Sequence, residues 1–199
     1  MAATPYKRTE KPRVTPKRLK NSDVRPREYL TEDEVEKLIV AAGKHEKNGL
    51  RDALMIRMAF RHGLRAGEVV DLQWDQIDLK KGTILVRRLK NGEPSLQALN
   101  REELHALKKM PKDSSYVFIG QRGSLFVDSF QLLVKRAGVS AKLKFPVHPH
   151  MLRHARGYDL ANKGADTRVL QQLLGHKNIQ HTVVYTKLTD KSVLALSKL

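Results

Sequence analysis

The segment 149–185 constrains the fold more than any other part of the chain, because its helix signals are closely spaced. Pro149 suits the first position of a helix, and Gly164 predicts where that helix ends. A second helix is predicted over residues 166–174, and a third begins near residue 178. We therefore expect three short helices joined by tight turns.

Imidazole and guanidinium groups are crowded into the same segment. His150 and Arg153 lie one turn apart on the first predicted helix, and His154 follows His150 by four residues. His176 stands just after the second helix, and Tyr185 lies in the third. The predicted helices therefore bring several cationic side chains near one tyrosine.

Three interpretations of these side chains compete. The spacing of His150 and His154 is that of zinc ligands on a helix, but no glutamate follows His150 and Arg153 would repel a divalent cation. Histidines and arginines also satisfy helix ends and backbone carbonyls, which explains any one of these residues better than all of them. A phosphoryl-transfer site, where positioning and charge stabilisation supply most of the catalysis, accounts for the whole group.

The overall charge indicates a polyanionic partner. The 199 residues include 38 Lys and Arg against 21 Asp and Glu, a formal net charge of +17 that favours nucleic acid. A solvated basic surface or a membrane surface is the alternative, but no long apolar span and no broadly apolar basic segment occurs. The chain has no cysteine and no apolar N-terminal signal, so we expect a cytoplasmic, DNA-associated protein without thiolate chemistry.

Residues 1–28 are basic, interrupted by prolines and without apolar periodicity. We expect a disordered arm, which either binds phosphates or is only an unstructured leader. Its candidate DNA-binding residues are Lys7, Arg8, Lys11, Arg13, Lys17 and Arg18.

Two helices are predicted after the arm. The sequence Thr31-Glu32-Asp33-Glu34 is a capping box that opens the first. The run Leu50–His62 is apolar on nearly every side, which predicts a buried helix ended by Gly63. Arg65 lies on the turn that follows. Glu68 can brace the Arg65 guanidinium if a short helix begins there, although a surface ion pair is the simpler alternative.

A β-hairpin is predicted next. The β-branched run 83–89 and the segment 94–99 form its strands, and Asn91-Gly92 suits the tight turn between them. Lys90 lies at the tip, where local sequence alone indicates a solvated surface charge. A further helix is predicted over 100–110, where Asn100-Arg101-Glu102-Glu103 is a second capping box, and another over 127–137, with Gly138 after it. The fold class is therefore mainly α with a small antiparallel β-sheet, an α+β fold.

Several motifs occur in a fixed order: Gly63-Leu64-Arg65 with Glu68, Lys90 in the hairpin, His150-Met151-Leu152-Arg153-His154, Leu174-Gly175-His176, and Tyr185. This order resembles the catalytic domain of the tyrosine recombinases, the phage integrase family. Tyr185 follows His176 by nine residues and His176 follows Arg153 by twenty-three, as in the family pattern. The resemblance covers Arg27 to the C-terminus, and the short chain is most similar to the fimbrial-switch invertases.

The resemblance implies a site-specific recombinase that cleaves and rejoins DNA through a 3′-phosphotyrosyl intermediate, with no ATP, cofactor or metal. Tyr185 is the implied nucleophile. Arg65 and Arg153 would bind the non-bridging phosphate oxygens, with His176 as a third donor. The other implied roles are general base for His150, general acid for Lys90, and orientation of Arg65 for Glu68.

The resemblance also implies double-stranded DNA as the partner, a homo-oligomer that is a tetramer in the synapse, accessory DNA-bending proteins, and no membrane. It divides the chain into the arm, a catalytic domain over 29–185, and a tail over 186–199 that docks on a neighbouring protomer or packs on its own domain. Most of the family has an N-terminal core-binding domain, so here we expect the arm, a partner protein or assembly on DNA to supply that grip. A DNA-binding regulator with the same fold and a type IB topoisomerase are the alternative functions.

Overall fold

Most of the protein is helical. The computed structural model describes residues 27–89, 92–121 and 123–186. Its eight α-helices over those ranges are α1 Glu32–Gly43, α2 Gly49–Arg61, α3 Ala66–Val70, α4 Arg101–Lys109, α5 Val127–Ser140, α6 Pro149–Asn162, α7 Thr167–Leu174 and α8 Gln180–Thr186. The predicted mainly α fold is confirmed, including the three short helices of the 149–185 segment.

Two small antiparallel sheets accompany the helices in the described ranges. The larger has the order β1 Ile77–Asp78, β2 Thr83–Val86 and β3 Ser95–Ala98, and the smaller pairs β4 Ile119–Gly120 with β5 Gly123–Ser124. Within the hairpin, Leu85 lies opposite Leu96. The predicted hairpin is confirmed, but β2 ends at Val86 instead of continuing to residue 89. Beyond Val86 the chain leaves the sheet and turns toward α3, where the Leu89 amide donates to the Glu68 carboxylate, 3.2 Å away.

Both predicted capping boxes form. Thr31 Oγ1 accepts from the Glu34 amide at 3.3 Å, and the Glu34 carboxylate accepts from the Thr31 amide at 2.9 Å. Asn100 makes the same reciprocal pair with Glu103, at 2.7 and 2.8 Å. These contacts satisfy amide groups that the first helical turn leaves without partners.

Helix α2 is the central element of the core, as its apolar sequence predicts. Met55, Ile56 and Met58 are fully buried, and the helix packs against α1, α4 and α6. The helix ends in a turn at Gly63, which adopts a left-handed φ of 58°. A Cβ atom there would also lie 2.6 Å from the side chain of Leu174, so glycine is needed both for the turn and for the approach of α7.

Helix α5 is longer than predicted. It continues past Gly138 to Ser140, so this glycine is an internal, buried residue of the helix. A Cβ atom at Gly138 would lie 2.9 Å from Val147, so the glycine admits the chain that leads into α6. No helix among the described residues is long and apolar enough to cross a membrane.

Candidate active site

Five separate segments converge where helices α2 and α7 end. The turn after α2 carries Arg65, and the chain after β2 carries Arg88. Helix α6 carries Arg153, the turn after α7 carries His176, and α8 carries Tyr185. Arg88 and Arg153 both donate to the carbonyl oxygen of Gly63, at 3.2 and 2.6 Å, so the two guanidinium groups meet at one atom.

Arg153 is buried, with 1% of its surface exposed. Its Nη1 and Nη2 donate to the carbonyl oxygens of Gly63 and Leu174, at 2.6 and 2.5 Å. These carbonyls lie at helix ends, where partial negative charge favours a cation. Burial, and then the charges of Arg65 and Arg88, lower the pKa of Arg153 to about 9. The site therefore holds more positive charge than the protein itself neutralises.

Glu68 braces Arg65, as the sequence predicts. Helix α3 begins directly after Arg65, and the Glu68 carboxylate accepts from the Arg65 side chain at 2.7 Å and its amide at 2.9 Å. Burial raises the pKa of Glu68, but the charge of Arg88 and hydrogen bonds from Arg65 outweigh that effect and lower it. Glu68 is therefore an ionised carboxylate inside the protein, and it fixes one face of the Arg65 guanidinium.

Arg88 was missed by the sequence analysis. Its side chain has no exposed surface and pairs with Glu68 at 2.8 Å. It also donates to the carbonyls of His62 and Leu173. Strand alternation is the signal that could have found it, because Ile84 and Val86 are buried and Arg88 continues the same face.

His176 lies directly after α7, where Gly175 adopts a φ of 63°. Its Nδ1 lies 2.9 Å from Thr182 Oγ1, and its ring lies nearly parallel to that of Tyr185, with the ring centroids 6.3 Å apart. Burial, and then the charge of Arg153, lower the pKa of His176 to about 3. The imidazole is therefore neutral until an anion enters the site.

Tyr185 is buried against helix α6, with 6% of its surface exposed. Tyr158 packs edge-on against its ring at a centroid distance of 5.0 Å. A Cβ atom at Gly157 would lie 2.7 Å from two atoms of the ring, so the tyrosine rests on a surface that only glycine provides. Burial raises the pKa of Tyr185 to about 12.

The Tyr185 hydroxyl lies 2.8 Å from Nδ1 of His154, a residue to which the sequence analysis gave no catalytic role. Burial, and then the charge of His150, lower the pKa of His154 to about 4. His150 lies on the exposed side of the same helix, with its ring edge-on to that of His154 at 4.4 Å. The predicted one-turn spacing of His150 and Arg153 on α6 is confirmed.

Several predicted residues lie outside the described ranges. They are Lys90, the arm residues Lys7, Arg8, Lys11, Arg13, Lys17 and Arg18, and all but the first residue of the predicted tail. Among the residues that are described, no group of three or more acidic or histidine side chains is arranged to hold a metal ion. The zinc interpretation therefore has no site in this part of the chain.

The arrangement is suited to an oxyanion. Three guanidinium groups, those of Arg65, Arg88 and Arg153, lie around one buried carboxylate, that of Glu68, in the described part of the chain, and a phosphodiester would supply further negative charge. A phenol lies beside them as a potential nucleophile. Phosphoryl transfer is the chemistry that uses all of these groups.

Known protein sequences match most of this chain. The sequence model described as the phage integrase family matches residues 28–192. The type 1 fimbriae regulatory protein FimE of Escherichia coli K12 is 41% identical over 170 residues, which cover 80% of this chain and 85% of FimE. FimB of the same strain is 39% identical over 176 residues, which cover 83% and 86% of the two chains.

Solved structures share the fold. The XerA recombinase superposes with a TM-score of 0.71 at 28% identity, over 85% of this chain and 64% of that chain. The XerH recombinase, in a pre-cleavage complex with its difH substrate, gives a TM-score of 0.72 at 23% identity, over 87% and 54%. The chain thus spans between half and two thirds of the length of these solved recombinases.

Proposed function

The chain belongs to the phage integrase family, the tyrosine recombinases, and from this premise we propose a specific reaction and residue roles. The protein is a site-specific recombinase that cleaves and rejoins DNA through a 3′-phosphotyrosyl intermediate, without ATP. The observation that carries the proposal is the convergence of Arg65, Arg153, His176 and Tyr185, from segments far apart in the chain, on one cationic space.

Each bond change in the reaction has an assigned group. The Tyr185 oxygen attacks the scissile phosphorus, the P–O5′ bond breaks, and the phenol proton leaves to a base. Lys90 protonates the departing 5′-oxygen. Arg65 and Arg153 bind the non-bridging oxygens, and His176 donates a further hydrogen bond. The reverse attack by a 5′-hydroxyl of the partner strand reseals the DNA.

His154 and His150 have different proposed roles: His154 holds Tyr185 in its resting position, and His150 accepts the proton of Tyr185 during cleavage. The hydrogen bond to His154 holds a phenol of pKa about 12 against an imidazole of pKa about 4, and this gap prevents proton transfer. Tyr185 has to turn out of this buried position to meet DNA. His150, which is exposed on α6, is then the base. A phosphate in the site raises the pKa of His154, because it adds negative charge.

Double-stranded DNA is the proposed partner, and the active form is a multimer on DNA. The net charge of +17 supports DNA binding, and the related XerH was solved bound to its difH substrate. We assign the catalytic domain to residues 29–185, DNA contacts to the arm, and protomer contacts to the tail. A tetrameric synapse and accessory DNA-bending proteins complete this proposal.

A nicked suicide substrate tests the assignment of the nucleophile. The nick lets a short fragment diffuse away after cleavage, so the covalent complex accumulates and is seen as a shifted band in a denaturing gel. Wild type should form this adduct and Tyr185→Phe should not. Tyr158→Phe is the matched control, because it removes a hydroxyl from the neighbouring ring and leaves the nucleophile in place. An adduct with Tyr185→Phe, or none with a wild type that binds the DNA, refutes the assignment.

The burial of Tyr185 also favours a second candidate function, a DNA-binding regulator that keeps the fold without cutting. The same suicide substrate separates the two, because a regulator binds it and forms no adduct. A topoisomerase-like enzyme forms the adduct but relaxes supercoiled plasmid as a monomer, whereas the proposed recombinase gives products joined across two target sites.

A further inference from the structure

Three tyrosine rings form a row that ends at the proposed nucleophile. The ring of Tyr29 lies against that of Tyr158, with the centroids 4.2 Å apart, and the ring of Tyr158 meets that of Tyr185 edge-on at 5.0 Å. Tyr29 precedes helix α1, whereas Tyr158 belongs to α6 and Tyr185 to α8. The row therefore connects the segment that enters the folded domain to Tyr185 through the ring of Tyr158.

Arg27 holds Tyr29 against the domain. Its Nε donates to the Tyr29 carbonyl oxygen at 2.7 Å, and its guanidinium lies over the rings of Tyr29 and Phe145, 5.6 and 4.9 Å from their centroids. The same guanidinium pairs with Glu34 of α1. An arginine between aromatic faces and a carboxylate stabilises a segment that itself lies outside the helices and sheets. The Tyr29 ring is thus fixed on one side by these contacts and on the other by Tyr158.

Glu28 adds an electrostatic effect in the same place. Burial is the main cause of the raised pKa of Tyr158 and of Tyr185, and the negative charge of Glu28 raises both pKa values further. A carboxylate near a phenol disfavours the phenolate, the form in which a tyrosine attacks phosphorus. The segment 27–29 therefore opposes the reaction of Tyr185 both by packing and by charge.

Resting on the reaction proposed above, we propose that Tyr29 is a positioning residue that holds Tyr185 in its buried resting position by packing on Tyr158. Tyr185 leaves this position in the proposed reaction, so contacts that exist only in the buried state lower the population of the released state. Loss of the Tyr29 ring leaves one side of Tyr158 without its packing partner. Tyr158 then yields more easily, and Tyr185 is released more often.

Single-turnover cleavage of the suicide substrate measures the effect on the reaction. Tyr29→Ala should form the covalent adduct about 2 to 10 times faster than wild type, because an aromatic pair of this kind shifts an equilibrium by that factor. Tyr29→Phe keeps the ring and should restore the wild-type rate. The matched control is Phe126→Ala, which removes a ring with 76% of its surface exposed at the start of α5 and should leave the rate unchanged.

Acylation of the protein without DNA separates positioning from a general loss of structure. N-acetylimidazole acylates tyrosine hydroxyls that reach solvent, and mass spectrometry assigns the modified residues. The Tyr185 hydroxyl is buried against His154, so its acylation should follow the released population and increase in Tyr29→Ala by the same factor as adduct formation. Tyr116, half-buried beside Gln73, should react at the wild-type rate. Faster acylation of both tyrosines would show that the variant is merely destabilised and would contradict the proposal.

A double-variant cycle tests whether Tyr29 acts through Tyr158. Tyr158→Leu removes the central ring but keeps an apolar side chain, and it should speed both acylation and adduct formation. Adding Tyr29→Ala to Tyr158→Leu should then change either rate by less than about twofold, whereas fully additive effects would show that Tyr29 acts by another route. Arg27→Gln is the second test variant in case Tyr29→Ala does not fold. It loosens the segment from the opposite side and should increase both rates.

The outcomes are distinct from those of the proposed reaction. If wild type forms the adduct and Tyr185→Phe does not, but Tyr29→Ala and Arg27→Gln leave both rates unchanged or lower them, this inference is wrong while the proposed reaction stands. If wild type binds the DNA and forms no adduct, the proposed reaction is wrong and the inference falls with it. Faster acylation of Tyr185 together with faster adduct formation supports the inference.

Discussion

The hydroxyl of Tyr185 is hydrogen-bonded to Nδ1 of His154 at 2.8 Å, and the tyrosine is almost completely buried. This contact holds the proposed nucleophile inside the protein. The proposed reaction requires this contact to break before strand cleavage, and this leads to different predictions for the two histidines of α6.

Replacement of His154 by phenylalanine should leave adduct formation within about threefold of wild type or faster, since the hydrogen bond that it removes belongs to the resting state. His150→Gln should slow it by about 100-fold or more, because a general base contributes on that scale. Single-turnover cleavage of the suicide substrate measures both. Equal losses in the two variants would assign the base role to His154.

Gly157→Ala should destabilise the protein by about 1–3 kcal/mol, the usual cost of overpacking a rigid contact. The added methyl carbon would lie 2.7 Å from Tyr185 Cε1 and Cζ, and the aromatic ring cannot deform to admit it. Urea unfolding measures the change in the free energy of unfolding. In a Tyr185→Ala background the penalty should largely disappear, and additive effects of the two substitutions would show that the ring is not the obstacle.

Lowering the pH from about 6.5 to 5 should lower the melting temperature of the free protein. His154 and His176 have folded pKa values of about 4 and about 3, whereas in the unfolded chain both titrate near 6.5. Between about pH 6.5 and 5 the unfolded state binds more protons than the folded state, so the free energy of unfolding decreases as the pH is lowered. The carboxyls of Glu68 and Glu103, whose folded pKa values are lowered, add little there, because a glutamate in the unfolded chain takes up its proton mainly below this window, at about pH 4.3.

The His154→Gln, His176→Gln double variant is the control for this pH dependence and should have a flatter melting curve against pH over the same window. A bound DNA half-site should flatten the wild-type curve as well, because the phosphate raises both imidazole pKa values. A wild-type curve that is already flat would contradict the neutral state assigned to the two rings.

Deletion of residues 1–26 should weaken DNA binding and reduce its salt dependence. Arg27 is retained in this variant because it forms an ion pair with Glu34 on the folded domain. For each phosphate that the shortened protein no longer neutralises, the slope of log K against log salt should become shallower by about 0.9. Fluorescence anisotropy at several salt concentrations measures the slope, and an unchanged slope would mean that the arm does not touch DNA.

Arg153→Ala and Arg65→Ala should both abolish cleavage but differ in stability. Arg153 is bonded to two helix-end carbonyls inside the protein, so its loss should cost about 2–4 kcal/mol of unfolding free energy. The Arg65 side chain is 29% exposed and pairs with Glu68, which keeps Arg88 as a partner, so about 1 kcal/mol is expected there. Chemical denaturation of the two variants compares them directly.

Sequence patterns predicted the features that depend on neighbouring residues. The capping boxes at Thr31 and Asn100, the turn at Gly63 and the hairpin all formed where local rules place them. Glu68 braced Arg65 because only three residues separate them. These contacts are determined by geometry within one turn of the chain.

Features that depend on distant residues were not predicted. The role of Arg88 arises from carbonyls of His62 and Leu173, which are 26 and 85 residues away. Strand alternation separates Arg88 from Arg87, which is exposed and pairs with Asp75, but it does not identify the partners of Arg88. Gly138 was interpreted as the end of a helix because helix signals do not show that its role is to allow close packing against Val147.

The buried hydrogen bonds of Arg153 have a consequence for how other sequences of this kind are interpreted. An arginine that caps two helix ends would be retained for folding in a descendant that had lost the chemistry altogether. Its presence in a new sequence therefore diagnoses the architecture and says little about catalysis. A more discriminating position is one whose proposed role is chemical and whose side chain is exposed, and His150 is the first to inspect when active enzymes are distinguished from inactive homologues.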